Sequence, residues 1–165
     1  MELLIVRHAI ACERDAKRWP DDSERPLSAR GVVRARQAAA GMKRLVPRPT
    51  RALASPLLRA QQTAAILTQF AAWPRPHPCP QLLPEASPAS VFALLARAQE
   101  PRIALIGHQP GLGRLLASCL AGDAGSAAFD LRKMGIALVA FPGAARAGRG
   151  ELLWLVPPRV LRAVR

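Results

Sequence analysis

Two short apolar segments of this chain each end next to a histidine. Residues 3–6 (Leu-Leu-Ile-Val) lead into Arg7-His8, and residues 103–106 (Ile-Ala-Leu-Ile) lead through Gly107 into His108. Continuous apolar runs of this length are typical of strands buried in a parallel sheet. The carboxyl ends of parallel strands form the edge at which α/β proteins bind ligands. We therefore expect an α/β fold in which both histidines lie on one rim of the sheet.

A third motif lies in mid-chain, where residues 55–63 read Ser-Pro-Leu-Leu-Arg-Ala-Gln-Gln-Thr. Ser55 followed by Pro56 is typical of a helix N-cap and first helical position, which predicts a helix starting there with Arg59 in its first turn. Arginine binds phosphate oxygens through a planar, bidentate fork. Arg59 and Arg7, together with the two histidines, would therefore suit a phosphoryl group.

Each of these pieces is a weak signal alone. A histidine after a strand is more often structural than catalytic, and an arginine at a helix start is usually a surface residue. Their order along one chain is more specific: Arg-His after the first strand, Ser-Pro-x-x-Arg-Ala-x-x-Thr in the middle, and Gly-His-x-Pro after a later strand.

On these motifs the chain resembles the histidine phosphatase superfamily, the phosphoglycerate mutase-like enzymes, from Met1 to about Phe141. Within it the chain looks most similar to the short SixA-type phosphohistidine phosphatases, because of residues 25–28 (Arg-Pro-Leu-Ser) with Gly31, residues 83–85 (Leu-Pro-Glu) and its compact length. The resemblance implies a three-layer α/β sandwich, with a mostly parallel central sheet and helices on both faces. We expect one domain over residues 1–165.

The resemblance also implies roles for individual residues. His8 would be the nucleophile that forms a covalent phosphohistidine, and Arg7, Arg59 and His108 would bind the phosphoryl group. Glu85 matches the place of the carboxylate that protonates an alkoxide leaving group, although it would equally suit the start of the helix at residues 87–88 (Ser-Pro). Further contacts with the phosphate are predicted for Ser55, which opens the mid-chain motif, and for Gln109, which directly follows His108.

Two positions depart from the family pattern. Ala9 replaces the glycine that is common after Arg-His, and Ser28 stands where threonine is frequent. Neither change removes a catalytic group.

The function we expect is hydrolysis of phosphohistidine on a signalling protein, since few residues separate Arg59 from Glu85 and the site should be shallow and open. The alternative is a small-molecule phosphatase acting on sugar or nucleotide phosphates. A third reading, a basic binding module without catalysis, is disfavoured by the intact set of two arginines and two histidines.

The chain is strongly basic, with a net charge of +13 and a pI near 11.6. Only three of its 24 basic residues are lysine, and an excess of Arg, Ala and Pro together is typical of a G+C-rich coding sequence. The arginines form no continuous run and no aromatic residues alternate with them, so nucleic acid is not the expected partner. An acidic protein partner stays open.

The three cysteines, Cys12, Cys79 and Cys119, are far apart and form no C-x-x-C pair, which argues against a disulfide scaffold or a zinc site. We expect Cys119 in the core and Cys79 exposed in a proline-rich loop. No metal and no cofactor is predicted. Without a signal-peptide pattern or an apolar stretch of about 20 residues, we expect a cytoplasmic protein that does not enter a membrane. The oligomeric state is open, and a monomer is compatible with the sequence.

The remaining pattern alternates between helices and strands. The carboxylates Glu13, Asp15, Asp21 and Asp22 fall in an acidic loop over residues 12–25, near the expected rim, where they either are solvated or contact a partner. The predicted elements are a helix capped by Ser28 and running to about 45, a strand over 50–54, a proline-rich connection over 73–84, a helix from 87–88 to about 98, a strand over 103–107, a helix over 110–120, and strands over 135–141 and 152–156 joined by a hairpin loop.

Overall fold

The central element is a six-stranded sheet of β1 (Glu2–Arg7), β2 (Arg51–Ala54), β3 (Pro76–Pro78), β4 (Arg102–Gly107), β5 (Ile136–Ala140) and β6 (Glu151–Val156). The strands lie in the order β3-β2-β4-β1-β5-β6. The computed structural model describes residues 1–122 and 129–164. The first four strands of that order run parallel to one another, β5 runs antiparallel to β1, and β6 at the edge runs antiparallel to β5.

Helices cover both faces of the sheet, which confirms the predicted three-layer α/β sandwich. One face packs against the first, second and fifth helices, and the other packs against the third and fourth. The helices are α1 (Ala29–Leu45), α2 (Leu58–Ala71), α3 (Pro88–Leu95), α4 (Gly111–Ala121) and α5 (Pro158–Ala163). None of the helices in the described part of the chain is long and apolar enough to span a membrane.

The apolar run of β1 is explained by this burial on two sides. Leu4 belongs to the core under α1 and α2, and Leu3 and Ile5 belong to the core under α3 and α4. Side chains alternate between the faces of a strand, so a strand covered on both faces must be apolar at every position. The same argument applies to β4, which lies beside β1 in the middle of the sheet.

The register of β1 and β4 positions the rim residues. Arg7 pairs with Gly107 at the ends of the two parallel strands. The next residue of each strand is a histidine, and the His8 N–H donates to the Gly107 carbonyl at 3.0 Å. His8 and His108 therefore leave the sheet side by side.

Helix α1 begins and packs as the sequence predicts. The Ser28 hydroxyl caps it by accepting from the Gly31 N–H at 3.0 Å. Gly31 also permits a close approach, because a Cβ at this position would lie 1.9 Å from the Ile10 carbonyl oxygen. Gly41 does the same at the other end, where a Cβ would lie 1.9 Å from the Leu161 oxygen of α5.

The start of α2 differs from the prediction. The helix begins at Leu58, and its N-cap residue Leu57 makes no side-chain capping bond. The prediction that Ser55 caps this helix is wrong, since its hydroxyl is buried and bonds to His108 instead. Arg59 nevertheless lies in the first turn of α2, as expected.

The proline-rich connection also differs. It contains the edge strand β3 and a short 3-10 helix, Pro80–Leu82. Cys79 between them is buried rather than exposed, because its N–H extends the pairing with β2 by donating to the Ala54 oxygen at 2.8 Å. Cys119 is buried in the core as predicted. Helix α5 was not anticipated, and α3 ends at Leu95, earlier than the expected residue 98.

Candidate active site

His8 and His108 form the centre of the site at the carboxyl ends of β1 and β4. Their ring centroids are 4.9 Å apart and the rings are inclined by 53°. Both side chains are almost completely buried in the protein. The shared rim expected from the two apolar runs is therefore present.

The His8 ring is held in one orientation by a backbone carbonyl. Its Nδ1 lies 2.6 Å from the Ala9 oxygen, so Nδ1 must donate and the proton is assigned to that nitrogen. Burial lowers the pKa of His8 to about 4, and the neighbouring charges of Arg59 and Arg7 act in the same direction. The ring is therefore neutral at pH 7, with an unprotonated Nε2 that is a potential nucleophile.

The loop carrying His8 is tied to helix α2 through Thr63. The Ala9 N–H donates to the Thr63 hydroxyl at 3.0 Å, and this hydroxyl donates to the Arg59 carbonyl at 2.7 Å. Thr63 is completely buried. The threonine of the mid-chain motif thus couples the positions of His8 and Arg59.

His108 is supported from behind by Ser55. The Ser55 hydroxyl oxygen lies 2.9 Å from the His108 Nε2, and Ser55 is fully buried. Among the described residues, the hydroxyl proton has no other hydrogen-bond acceptor, so Ser55 donates to Nε2 and the ring proton is assigned to Nδ1. Burial, followed by the neighbouring His8, lowers the pKa of His108 to about 3.

Arg7 and Arg59 reach the site with part of each guanidinium already engaged. Arg7 donates to the Leu131 carbonyl at 2.7 Å. Arg59 donates to the Asp22 carbonyl at 2.8 Å and forms an ion pair with the Asp22 carboxylate at 3.1 Å. These contacts orient both guanidinium groups and leave further N–H groups free to bind a ligand.

Three buried N–H donors of these residues have no protein partner among the residues that the structure describes. They are the Nε atoms of Arg7 and Arg59 and the Nδ1 atom of His108. Buried polar groups are normally satisfied by hydrogen bonds, so a group of unsatisfied donors indicates a place for an acceptor. Two arginines and a neutral histidine donor are suited to the oxygens of a phosphoryl group.

Asp22 is a site residue whose role the sequence left open. Besides its contacts with Arg59, its carboxylate accepts from Arg25 Nε at 2.7 Å, and this hydrogen bond is the main cause that lowers the Asp22 pKa. The alternative in which the loop carboxylates are merely solvated is therefore wrong for Asp22, although it agrees with the exposure of Glu13 and Asp15. The sequence signal was the acidic segment directly before Arg25-Pro26.

Gln109 is used for another purpose than the predicted phosphate contact. Its amide nitrogen donates to the Phe129 carbonyl at 2.5 Å, and its amide oxygen accepts from the Gly113 N–H at 2.7 Å. Both ends of the side chain are thus engaged in holding helix α4 against the segment around Phe129. The phosphate-binding assignment of Gln109 is corrected accordingly.

Glu85 lies on the loop between the 3-10 helix and α3. The preceding carbonyl of Pro84 accepts from Arg114 of α4 at 3.2 Å, so this loop rests against the helix that follows His108. Glu85 itself is exposed, and within the described ranges its carboxylate makes no hydrogen bond or ion pair.

Comparison with known proteins agrees with this geometry. The sequence model of the histidine phosphatase superfamily (branch 1) matches residues 3–82. The chain is also 36% identical over 139 residues to an uncharacterized protein of Picosynechococcus sp., a match that covers 82% of each chain. The chain belongs to the histidine phosphatase superfamily. Membership supports phosphatase activity.

Solved structures extend the likeness of this histidine phosphatase to its whole length. The protein histidine phosphatase SixA, in a structure complexed with tungstate, is 28% identical, with a TM-score of 0.80 and coverage of 98% of this chain and 99% of that chain. The alpha-ribazole phosphatase of Shigella flexneri is 18% identical, with a TM-score of 0.71 and coverage of 96% and 97%. At that identity, the second likeness concerns the fold alone.

Proposed function

We propose that this protein is a metal-independent phosphatase that hydrolyses phosphohistidine on a signalling protein through a covalent intermediate at His8. The single observation that carries the proposal is the state of the His8 ring. Nδ1 is bound to the Ala9 oxygen at 2.6 Å, which leaves a neutral Nε2 beside two arginines and a second histidine. This is the arrangement that attack on phosphorus requires.

In the first step, the lone pair of His8 Nε2 forms a bond to phosphorus while the bond from phosphorus to the substrate nitrogen breaks. The departing imidazole nitrogen takes a proton from a water molecule and leaves as neutral histidine, and a hydroxide ion remains. In the second step this hydroxide attacks the phosphorus on His8, the new P–N bond breaks, and hydrogen phosphate is released. His8 returns to its starting state with Nδ1 still bound to Ala9.

The positive groups around His8 allow this transfer. The phosphoryl group carries its charge on three oxygens, and catalysis consists largely of stabilising that charge and aligning nucleophile and leaving group. The guanidinium groups of Arg7 and Arg59 would supply most of this stabilisation, and His108 Nδ1–H would donate a further hydrogen bond. With these donors no metal is needed in the proposed reaction.

The chemistry of the leaving group favours phosphohistidine over a phosphate ester as the substrate. Imidazole leaves far more easily than an alkoxide, so its phosphoramidate needs little help from a general acid. His8, His108 and Arg59 are buried and Arg7 is partly buried, whereas Glu85 lies exposed on a loop. The likeness to the protein histidine phosphatase SixA supports the same substrate class.

The second candidate is hydrolysis of a small phosphate ester, which Glu85 specifically favours. Among the described residues its carboxylate has no partner, and it lies on the loop against α4, where we propose that a proton donor for an alkoxide would meet the substrate. In that case Glu85 would be catalytic, whereas the phosphohistidine reaction would depend on it little.

The deciding experiment compares kcat/KM for a phosphohistidine-bearing phosphotransfer domain with that for p-nitrophenyl phosphate, in one buffer containing EDTA. His8→Ala serves as the blank and should abolish turnover of both. We expect a preference of several orders of magnitude for the phosphoprotein. Equal or inverted values would overturn the phosphohistidine assignment, loss of activity in EDTA would overturn metal independence, and an active His8→Ala variant would overturn the nucleophile.

A further inference from the structure

A large basic cavity lies beside the proposed active site. It has a volume of about 760 Å³ and is lined by six cationic side chains, those of Arg7, Arg34, Arg132, Lys133, Arg159 and Arg162. None of its described lining residues is Asp or Glu. The proposed reaction requires only Arg7 of this set.

The cavity adjoins the site through residues on both sides of the nucleophile in the chain. Arg7 and Ala9, on either side of His8, both line it. Arg34 contributes from α1, and Arg159 from α5, the helix that packs against α1. Arg7 is therefore common to the cavity and the proposed active site.

The positive charge of the cavity is largely uncompensated. Asp130 lies 3.5 Å from Arg7 and 3.8 Å from Arg132. Over residues 1–122 and 129–164, Arg34, Lys133 and the two arginines of α5 form no ion pair. Cations concentrated in a concave surface create a positive potential that attracts an anionic partner.

We propose that this cavity binds an acidic segment of the phosphorylated substrate protein, with the carboxylates of Asp or Glu side chains paired to its arginines. This inference rests on the proposed function and adds the chemistry by which the enzyme selects its substrate. It also assigns a purpose to part of the arginine excess.

The exposure of the lining residues favours a protein over a small ligand. Small-molecule pockets bury most of the ligand and fix it with a few precisely placed polar groups. Here Arg132, Lys133 and Arg159 are exposed long side chains around an open mouth. Exposed complementary charges are typical of protein interfaces, where they accelerate encounter and select partners.

The test replaces two cavity arginines on different helices, in the double variant Arg34→Glu/Arg159→Glu. The matched control is Arg97→Glu/Arg146→Glu, which changes the net charge equally at two exposed positions that do not line the cavity. Circular dichroism and Tm would show that both variants are folded. Each is assayed on a phosphohistidine protein with an acidic flanking segment and on p-nitrophenyl phosphate.

We expect kcat/KM for the phosphoprotein to fall at least tenfold more than kcat/KM for the small ester in the cavity variant, through a higher KM. In the control variant both values should stay within about twofold of the wild type. The difference should shrink as salt is added, since salt screens exposed charges. Equal losses in the two variants, or equal losses on both substrates, would overturn the proposal.

A binding measurement keeps this proposal separate from the proposed function. A fluorescent, unphosphorylated Glu-rich peptide is titrated with wild type, cavity variant and control, and its Kd should rise at least tenfold only in the cavity variant. If the wild type fails to hydrolyse phosphohistidine but shows this pattern, only the proposed function is overturned. An unchanged peptide Kd, or tighter binding of a single-stranded RNA of equal charge at the same cavity, would overturn the acidic-segment proposal.

Discussion

The hydroxyl oxygen of Ser55 lies 2.9 Å from Nε2 of His108, and both side chains are buried. The serine that appeared to be a helix cap thus controls which nitrogen of His108 carries the proton. With Nε2 accepting from Ser55, the Nδ1–H group remains as a donor for a phosphoryl oxygen. Ser55 is therefore a positioning residue in the proposed reaction.

Replacing Ser55 with alanine should lower kcat about tenfold, because the loss of one buried hydrogen bond costs about 1–3 kcal/mol and frees the tautomer of His108. The ¹⁵N chemical shifts of the His108 ring should change from one tautomer to a mixture. Ser90→Ala, on the surface helix α3, is the matched control. Unchanged ring shifts in Ser55→Ala would contradict the assignment.

Replacing Asp22 with asparagine should tighten product inhibition by inorganic phosphate about threefold at low ionic strength. The variant removes a negative charge 3.1 Å from Arg59, while the backbone carbonyl that also binds Arg59 is retained. A half-exposed ion pair is worth about 1 kcal/mol or less, which sets this size. The measurement is the Ki of phosphate, with the neighbouring Asp21→Asn as control. A higher Ki in Asp22→Asn would mean that the carboxylate is required to orient Arg59.

Acidification should destabilise the protein through its two rim histidines. Burial lowers the pKa of His8 to about 4 and that of His108 to about 3, against 6.5 for an unperturbed histidine. Below pH 6.5 the unfolded chain binds more protons than the folded protein. The free energy of unfolding therefore decreases as the pH is lowered, by up to about 1.4 kcal/mol per pH unit for each histidine.

Urea unfolding between pH 7 and pH 5 measures this slope. The two rim histidines together cause part of this slope. We expect His8→Gln and His108→Gln each to remove about half of that part. His77→Gln, which removes an exposed histidine of β3, is the control. If the unfolding free energy of both rim variants depended on pH as steeply as that of the wild type, the prediction would be contradicted.

Glu85→Gln separates the two candidate reactions. We expect an order-of-magnitude or greater loss of kcat on alkyl phosphates, because general acid catalysis contributes about 10² to 10⁴ in rate. Turnover of phosphohistidine should change little. Steady-state rates on both substrates supply the measurement. Equal small changes on both would show that Glu85 is a helix-start residue only.

Gly31→Ala should destabilise the protein by about 2 to 3 kcal/mol, despite the better helix propensity of alanine. Its Cβ would lie 1.9 Å from the Ile10 backbone oxygen, so α1 and the loop after His8 would have to separate. Gly143→Ala is the control, since a Cβ there meets no atom of the described residues within 4 Å. Chemical denaturation of both variants measures the difference, and similar stabilities would disprove the close contact.

The sequence alone determined the class of fold and the central residues. Apolar runs long enough for strands but too short for helices predict a parallel sheet, and a histidine directly after each run predicts a shared rim. Ser28 likewise marked the start of α1 through its own side chain. These predictions succeed because strand burial, the parallel arrangement and helix capping depend on residues that are close together in the chain.

Tertiary structure decided what the polar side chains near the rim contact. Ser55, Gln109 and Asp22 bond to partners 53, 20 and 37 residues away in the chain, so local patterns assign them incorrectly or leave them open. Cys79 is buried because of strand pairing across the sheet. The basic cavity forms where α1 and α5 come together with the end of β1 and residues 132–134. A side chain's hydrogen-bond partner and exposure depend on which distant segments pack against it, and local sequence does not encode that geometry.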